Sequence, residues 1–98
     1  MLNTLALCVE EIAGNVVRHA FSPGEKRWFD LMILNKGDSV IVRMRDNGRE
    51  FDPIRYLHEH KDSEDGKLGL RLISGLTDQF EYRRALELNN IIIVINKR

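Results

Sequence analysis

Three polar residues near the start of the chain, Glu11, Asn15 and His19, recur at every fourth position. In an α-helix this spacing places a carboxylate, an amide and an imidazole in one stripe on a single face. The stripe lies beside the apolar face of the helix, at the margin of the core, where a ligand held between the helix and a loop would be found. A solvated helix edge has the same spacing and is the commoner case.

A second candidate is Asp46, which is followed by Asn47 and Gly48. The two-residue period of the strand before it puts Asp46 on the same apolar face as Val42 and Met44. A carboxylate on a covered face is costly unless a donor satisfies it. The amino group of adenine would do so, and Gly48 would let a base approach the backbone closely. The same residues also fit a simple Asp-Asn-Gly turn.

The third candidate is the segment Gly66-Lys67-Leu68-Gly69, which precedes a short apolar helix. Free backbone N–H groups at a helix start attract anions, and glycines let a phosphate come close. Lys67 and Arg71 would add positive charge. Two glycines at a helix start are weak evidence taken alone.

The elements that position these residues follow from periodicity. Apolar residues at helical spacing predict a helix over residues 2–20, which the Pro23-Gly24 pair ends. We then predict strands at residues 28–34 and 40–45, a polar loop at 53–67 with a short helical turn at 54–57, a helix at 69–76, a strand at 79–85, a turn at 87–90 and a strand at 91–96. This order favours an α+β fold, a two-layer α/β sandwich with helices on one face of a mixed, mostly antiparallel sheet.

The composition is that of one ordinary globular domain covering residues 1–98, with 43% apolar and 31% charged residues. A formal net charge of zero weighs against nucleic-acid binding. Cys8 is the single cysteine, which excludes an internal disulfide, and we expect it to be a small buried residue. No apolar run is long enough to span a membrane and no signal peptide is apparent, so we expect a cytoplasmic protein without a membrane partner.

Together, and in this order, the three motifs resemble one family. The segment Glu11-Ile12-Ala13-Gly14-Asn15 through His19-Ala20-Phe21 is similar to the helix motif of the GHKL ATPases, which include gyrase, Hsp90, histidine kinases and MutL. The segment from Asp46 to Pro53 is similar to their adenine-binding loop, and Gly66-Lys67-Leu68-Gly69-Leu70 to the phosphate-side lid motif. Arg18-His19-Ala20-Phe21 and Phe51-Asp52-Pro53 look most like the bacterial anti-sigma-factor serine/threonine kinases.

The resemblance implies the Bergerat-type ATP-binding fold, with ATP and Mg²⁺ as cofactors. In it, Asn15 would coordinate Mg²⁺, and Glu11 would be the general base that polarises a serine hydroxyl or a water. Asp46 would accept the adenine amino hydrogen, with Gly48 giving the base room.

On the phosphate side, Gly66 and Gly69 would bracket the flexible end of a lid formed by residues 53–67, with Lys67 and Leu70 in the same motif. Arg18 and His19 would approach the phosphates at the helix end. Two positions depart from the family: Glu50 and Lys67 stand where glycine is common, which puts affinity and turnover in question.

The function implied is ATP binding by an anti-sigma-type serine/threonine kinase that phosphorylates an anti-anti-sigma (STAS-type) partner and so switches a sigma factor. One alternative is a non-catalytic nucleotide-sensing module that binds other proteins. Another is the ATP-binding domain of a sensor histidine kinase, which would need an acceptor-histidine hairpin. Family members usually open with strands and a helix before the motif helix, and we expect that this chain lacks them. A homodimer, a strand swap or an upstream domain would then cover the exposed sheet edge.

Overall fold

The computed structural model describes residues 2–59 and 67–97, and of residues 67 and 68 it describes only the backbone. Within these ranges the elements follow in the order α1 (Leu2–His19), β1 (Phe29–Asn35), β2 (Ser39–Asp46), α2 (Pro53–Glu59), α3 (Lys67–Leu76), β3 (Gln79–Ala85) and β4 (Leu88–Asn96). The predicted succession of helix, hairpin, helix and hairpin is confirmed, and a further helix, α2, lies in the segment predicted as a loop. None of the helices described has the length and apolar content needed to cross a bilayer.

The four strands form one sheet in the order β1-β2-β4-β3, and each neighbouring pair is antiparallel. The register places Asp46 opposite Asn89, with Phe29 on the other side of Asp46. Three side chains from three strands therefore share one row at the end of the sheet nearest the loop after β2.

The core lies between the sheet and the helices, because alternate residues of β2 and β4 are buried and their neighbours are not. The helix α1 contributes its apolar face, as the four-residue spacing predicted, and Cys8 is fully buried as expected. The buried apolar set is Cys8, Ile12, Val16, Ala20, Val40, Val42, Met44, Leu70, Ile73, Ile91, Ile93 and Ile95. The two-layer α/β sandwich predicted from the sequence is the observed architecture.

The helix α2 is longer than the short turn predicted at residues 54–57. Asp52 caps it: the Asp52 Oδ1 atom accepts hydrogen bonds from the backbone N–H groups of Ile54 and Arg55, at 2.9 and 3.1 Å. Pro53 occupies the first helical position, where its missing N–H costs nothing. A cap and a proline together therefore start a helix in a stretch that the polar composition alone made look like loop.

The turn between β3 and β4 is shorter than predicted, and β4 begins three residues earlier than expected. Leu86 and Glu87 form the whole connection, with φ angles of 52° and 62°, and Ala85 pairs with Leu88 across it. Two positive φ angles are typical of the type I′ hairpin turn, which usually carries Asn or Gly. The asparagines at 89 and 90, which indicated a turn, belong to the strand instead.

The strand β1 is one of the two edge strands of the sheet, and all of its residues are exposed. Beneath it lies a cavity of about 800 Å³ between the sheet, the start of α1 and the end of α3, lined by residues that include Leu5, Ile33 and Leu76. None of the polar residues singled out from the sequence lines this cavity, so it is distinct from the site described next.

Candidate nucleotide-binding site

The side chain of Asn15 is buried within α1, with 1% of its surface exposed. Its Nδ2 atom donates a hydrogen bond to the backbone oxygen of Glu11 at 2.7 Å, which fixes the amide plane. Its Oδ1 atom is buried and has no hydrogen-bond partner among the described residues. A buried carbonyl oxygen without a donor is costly, and a bound cation would satisfy it. The donor chemistry at Asn15 therefore fits a magnesium ion.

Asp46 ends β2 on the buried face, as the two-residue period predicted, and it has no exposed surface. Its Oδ1 atom accepts two hydrogen bonds of 2.9 Å, from the backbone N–H of Gly48 and from Nδ2 of Asn89. Its Oδ2 atom is buried and has no partner among the described residues. One half of the carboxylate is held in place and the other half is available, an arrangement that fits an exocyclic amino group such as that of adenine.

One other buried side-chain atom in the described part of the chain lacks a partner, the Nε atom of Arg43. Arg43 lies on the opposite face of the sheet, since its neighbours Val42 and Met44 face the core. The two acceptors without donors on the helix-covered side are therefore Asn15 and Asp46, which are also the two residues best supported by the sequence.

Asn89 holds Asp46 in place, a role that was not predicted from the sequence. It is 1% exposed, and besides its bond to Asp46 its Nδ2 atom donates to the backbone oxygen of Arg49 at 2.8 Å. It escaped prediction because Asn89-Asn90 is typical of a turn, whereas the register of β4 on β2 turns Asn89 inward. Asn89 lies two residues before Ile91, in phase with the alternate buried residues of β4. This phase was the available signal in the sequence that the Asn89 side chain faces inward.

The Oδ1 atom of Asn89 accepts three hydrogen bonds, from the Tyr82 hydroxyl at 2.6 Å, from Nη1 of Arg84 at 3.1 Å and from the backbone N–H of Phe51 at 3.3 Å. Burial raises the pKa of Tyr82, and the negative charge of Glu50 raises it further. The hydroxyl therefore stays protonated and remains a donor. This network fixes both ends of the loop that follows Asp46.

The same loop packs closely against the end of α1. A Cβ atom on Gly48 would lie 2.5 Å from the backbone oxygen of Ala20 and 2.7 Å from its Cβ atom. The Arg49 N–H donates to that backbone oxygen at 2.9 Å, and Nε of Arg49 donates to the backbone oxygen of His19 at 3.0 Å. The close approach that requires glycine at this position is thus to the helix, and the room that Gly48 would give to a base stays a prediction.

Glu11 and Gly69 lie in contact where α3 begins. A Cβ atom on Gly69 would overlap the carboxylate of Glu11, so the glycine leaves the space that this carboxylate occupies. Glu11 and Gly69 are both partly buried. The structure therefore brings the predicted base from the helix motif and the second glycine of the lid motif together.

His19 occupies the last turn of α1 and contacts two aromatic rings. It stacks on Phe51 with a centroid distance of 4.6 Å and an interplanar angle of 15°, and Tyr56 lies against it at 4.7 Å. These contacts join the helix motif to the start of α2. A role of His19 toward phosphate is not tested by them.

The remaining predicted site residues are Arg18, Leu70, Lys67 and Gly66. Arg18 is exposed on α1. Leu70 is fully buried in the core, so its backbone alone can face a ligand. Lys67 begins α3, but its side chain, like the whole of Gly66, lies outside the described residues.

Comparisons with known proteins show the family of the chain. The family model described as the histidine kinase-like ATPase domain matches residues 1–95. The chain is 33% identical over 86 residues to the serine/threonine-protein kinase BtrW of Bordetella bronchiseptica, a match that covers 83% of this chain and 61% of that kinase. The chain thus spans less than two thirds of the length of this relative.

Two solved structures of the blue-light activated histidine kinase EL346 from Erythrobacter litoralis share the fold. The isolated histidine kinase domain and the larger protein each superpose with a TM-score of 0.69 at 23% identity, over 95% of this chain and over 43% and 29% of those chains. Because the family model covers residues 1–95, the chain belongs to the histidine kinase-like ATPase family.

Proposed function

We propose that this chain is the ATP-binding domain of an anti-sigma-factor-type serine/threonine kinase, which phosphorylates an STAS-type anti-anti-sigma protein. The observation that carries the proposal is the pair of buried acceptors without donors, Asn15 Oδ1 and Asp46 Oδ2. The 33% identity to a serine/threonine-protein kinase supports the reaction type. The free, buried Cys8 is in keeping with a cytoplasmic location.

Two side chains would hold the nucleotide. Asp46 would accept a hydrogen bond from the adenine amino group, with Asn89 and Gly48 fixing the carboxylate. Asn15 would bind Mg²⁺ through its amide oxygen, because amide and carboxylate oxygens suit hard cations. When bound, ATP with Mg²⁺ supplies the phosphoryl group, and the metal neutralises its charge.

Glu11 would act on the acceptor protein. Its carboxylate would orient the serine or threonine hydroxyl and take up its proton as the new oxygen–phosphorus bond forms. ADP would leave with the electron pair of the bond that breaks between the γ-phosphorus and the bridging oxygen. Gly69 supports this role, because the space that its missing side chain leaves is occupied by the Glu11 carboxylate.

A second function, nucleotide sensing without phosphoryl transfer, is favoured by two substitutions. Glu50 and Lys67 stand where relatives commonly carry glycine, and each restricts the backbone next to the site. Such a module would bind ATP through Asp46 and Asn15 but would transfer nothing. Phosphoryl transfer therefore separates the two functions, whereas nucleotide binding does not.

Transfer of labelled phosphate from the γ position of ATP to the anti-anti-sigma proteins of the same genome is the test. Glu11→Gln should lower the transfer rate by about 10²-fold or more, because a general base commonly contributes that much. ATP affinity should change little. Glu10→Gln, which alters the exposed neighbour on the same helix, is the matched control and should transfer normally.

Absence of transfer by the unchanged protein to every partner, with ATP binding intact, would favour the sensing module. Normal transfer by Glu11→Gln would show that the base has been assigned to the wrong residue.

A further inference from the structure

At the tip of the β3–β4 hairpin, both the exposure of Leu86 and its backbone conformation are energetically unfavourable. Leu86 has 94% of its surface exposed, so it makes almost no contact with the described chain. It also adopts a φ of 52°, and Glu87 follows with 62°. This left-handed conformation is unfavourable for a leucine, and glycine or asparagine would relieve it. A strained residue that displays an apolar side chain to solvent suggests a contact with another molecule.

A cleft of about 390 Å³ lies beside this tip, and we call it the arginine cleft. Three arginines, Arg27, Arg49 and Arg84, line it together with residues 47–48 and 86–88. Glu87 is the one acidic residue among the lining side chains, and Glu25, outside the lining, pairs with Arg27 at 2.5 Å. The lining is therefore more basic than the chain as a whole, whose net charge is zero.

The guanidinium groups of the arginine cleft are held in place by the adjacent loop. Arg27 Nη1 donates to the backbone oxygen of Asn47 at 2.7 Å, and Arg84 Nη1 donates to that of Gly48 at 2.9 Å. A guanidinium has five N–H donors, so each of these bonds leaves further donors for a ligand. Groups that are already fixed lose little freedom when they bind, which favours affinity.

An exposed aromatic residue adjoins the same loop. Trp28 is 44% exposed, and its backbone N–H donates to Oδ1 of Asn47 at 2.8 Å, next to the Arg27 contact. Tryptophan and arginine are the residue types most enriched among those that dominate protein interfaces. The surface of the cleft itself thus presents a strained leucine and fixed cations.

We propose that the arginine cleft and Leu86 form a docking surface for an acidic protein segment that carries apolar side chains. The carboxylates of the segment would pair with the guanidinium groups, and its apolar side chains would cover Leu86. Nucleic acid fits this surface less well, because the chain has no net positive charge.

This docking surface does not depend on the proposed kinase activity. Gly48 borders both the predicted nucleotide site and the arginine cleft, whereas Glu11, Asn15 and Asp46 do not line the cleft. A failure of phosphoryl transfer would leave the proposal intact, and a failure to dock would leave the nucleotide site intact.

The test is an NMR titration of the isotope-labelled full chain with a short synthetic peptide of glutamates around a leucine–phenylalanine pair. We expect saturable shifts confined to the amides of Arg27, Asn47, Arg84 and the hairpin tip. A peptide with lysine in place of each glutamate, and polyuridylate, are the comparison ligands and should bind at least about tenfold more weakly.

Leu86→Asn is the informative variant, because asparagine tolerates the left-handed conformation and the fold should be retained or stabilised. Peptide affinity should fall by at least about tenfold, since a central apolar anchor is lost. Leu2→Asn, which removes another exposed leucine that lines the other cavity, should bind as the unchanged protein does. The proposal is overturned by an absence of shifts at millimolar peptide, by equal binding of the lysine peptide or polyuridylate, or by unchanged affinity of Leu86→Asn.

Discussion

At the residue scale, the site depends on how one buried asparagine divides its hydrogen bonds. Asn89 donates to Asp46 and to the backbone after it, and it accepts from Tyr82 and Arg84. Asp46 is thereby held by one oxygen, and its other oxygen has no partner among the described residues. Without these donors, nothing in the preceding contacts would offset the free-energy cost of removing the Asp46 carboxylate from water.

Replacing Asn89 by alanine should lower the free energy of unfolding by about 3 kcal/mol, because several buried polar groups lose their partner at once. Asn90→Ala is the matched control. Asn90 lies on the opposite face of the sheet, and its shortest side-chain hydrogen bond is accepted from Nε of Arg45. Its replacement should lower the free energy of unfolding by less than about 1 kcal/mol. Urea unfolding measures both. Equal losses in the two variants would contradict the central role of Asn89.

At the scale of elements, the loop after β2 is positioned by its contact with the end of α1. Gly48 has no side chain because the backbone oxygen of Ala20 occupies that space, and Arg49 binds the last carbonyls of the helix. The helix motif and the loop motif are thus joined by direct packing as well as by any ligand between them.

Gly48→Ala should therefore destabilise the protein, by about 1–3 kcal/mol, since the nearest atoms belong to backbone that cannot move alone. Gly75→Ala provides a contrast of opposite sign. A Cβ atom there meets nothing within 4 Å, and alanine at this position, next to the last residue of α3, should stabilise by up to about 0.5–1 kcal/mol. Thermal unfolding of the two variants tests the packing argument, which fails if both shift the midpoint in the same direction.

Sequence patterns predicted this fold well where one face of an element is buried. The two-residue period placed Asp46 correctly, and apolar residues at helical spacing predicted α1. The patterns failed where the answer depends on pairing between distant segments. Asn89 became an inward residue through its register with Asp46, and Leu86 entered a tight turn without the usual turn residues. Both facts depend on how β4 pairs with its two neighbouring strands.

At the scale of the whole molecule, stability should depend on pH in the alkaline range. Burial raises the pKa of the Cys8 thiol, so the unfolded chain loses this proton at a lower pH than the folded protein. Stability is then fully retained below the unfolded pKa, about 8.5, and falls as the pH rises above it, by at most about 1.4 kcal/mol per pH unit.

Urea unfolding between about pH 8 and 9.5 measures this slope before most tyrosines titrate. Cys8→Ala should flatten the slope, whatever its effect on stability at neutral pH. An equally steep decline in Cys8→Ala would mean that the thiol is not the group responsible. The raised pKa of Tyr82 should add a further decline at higher pH, with the same sign.

The central claim is a nucleotide site formed by Asn15 and Asp46, and titration calorimetry with ATP in the presence and absence of Mg²⁺ tests it most directly. The unchanged protein should bind ATP, and more tightly with Mg²⁺. The Asp46→Asn side chain presents an NH₂ donor where the adenine amino group needs an acceptor. The affinity for ATP should therefore fall by about 10–100-fold. Asp38→Asn, at an exposed turn, should bind normally. Equal ATP affinity in Asp46→Asn and the unchanged protein, or no binding by either, would contradict the account.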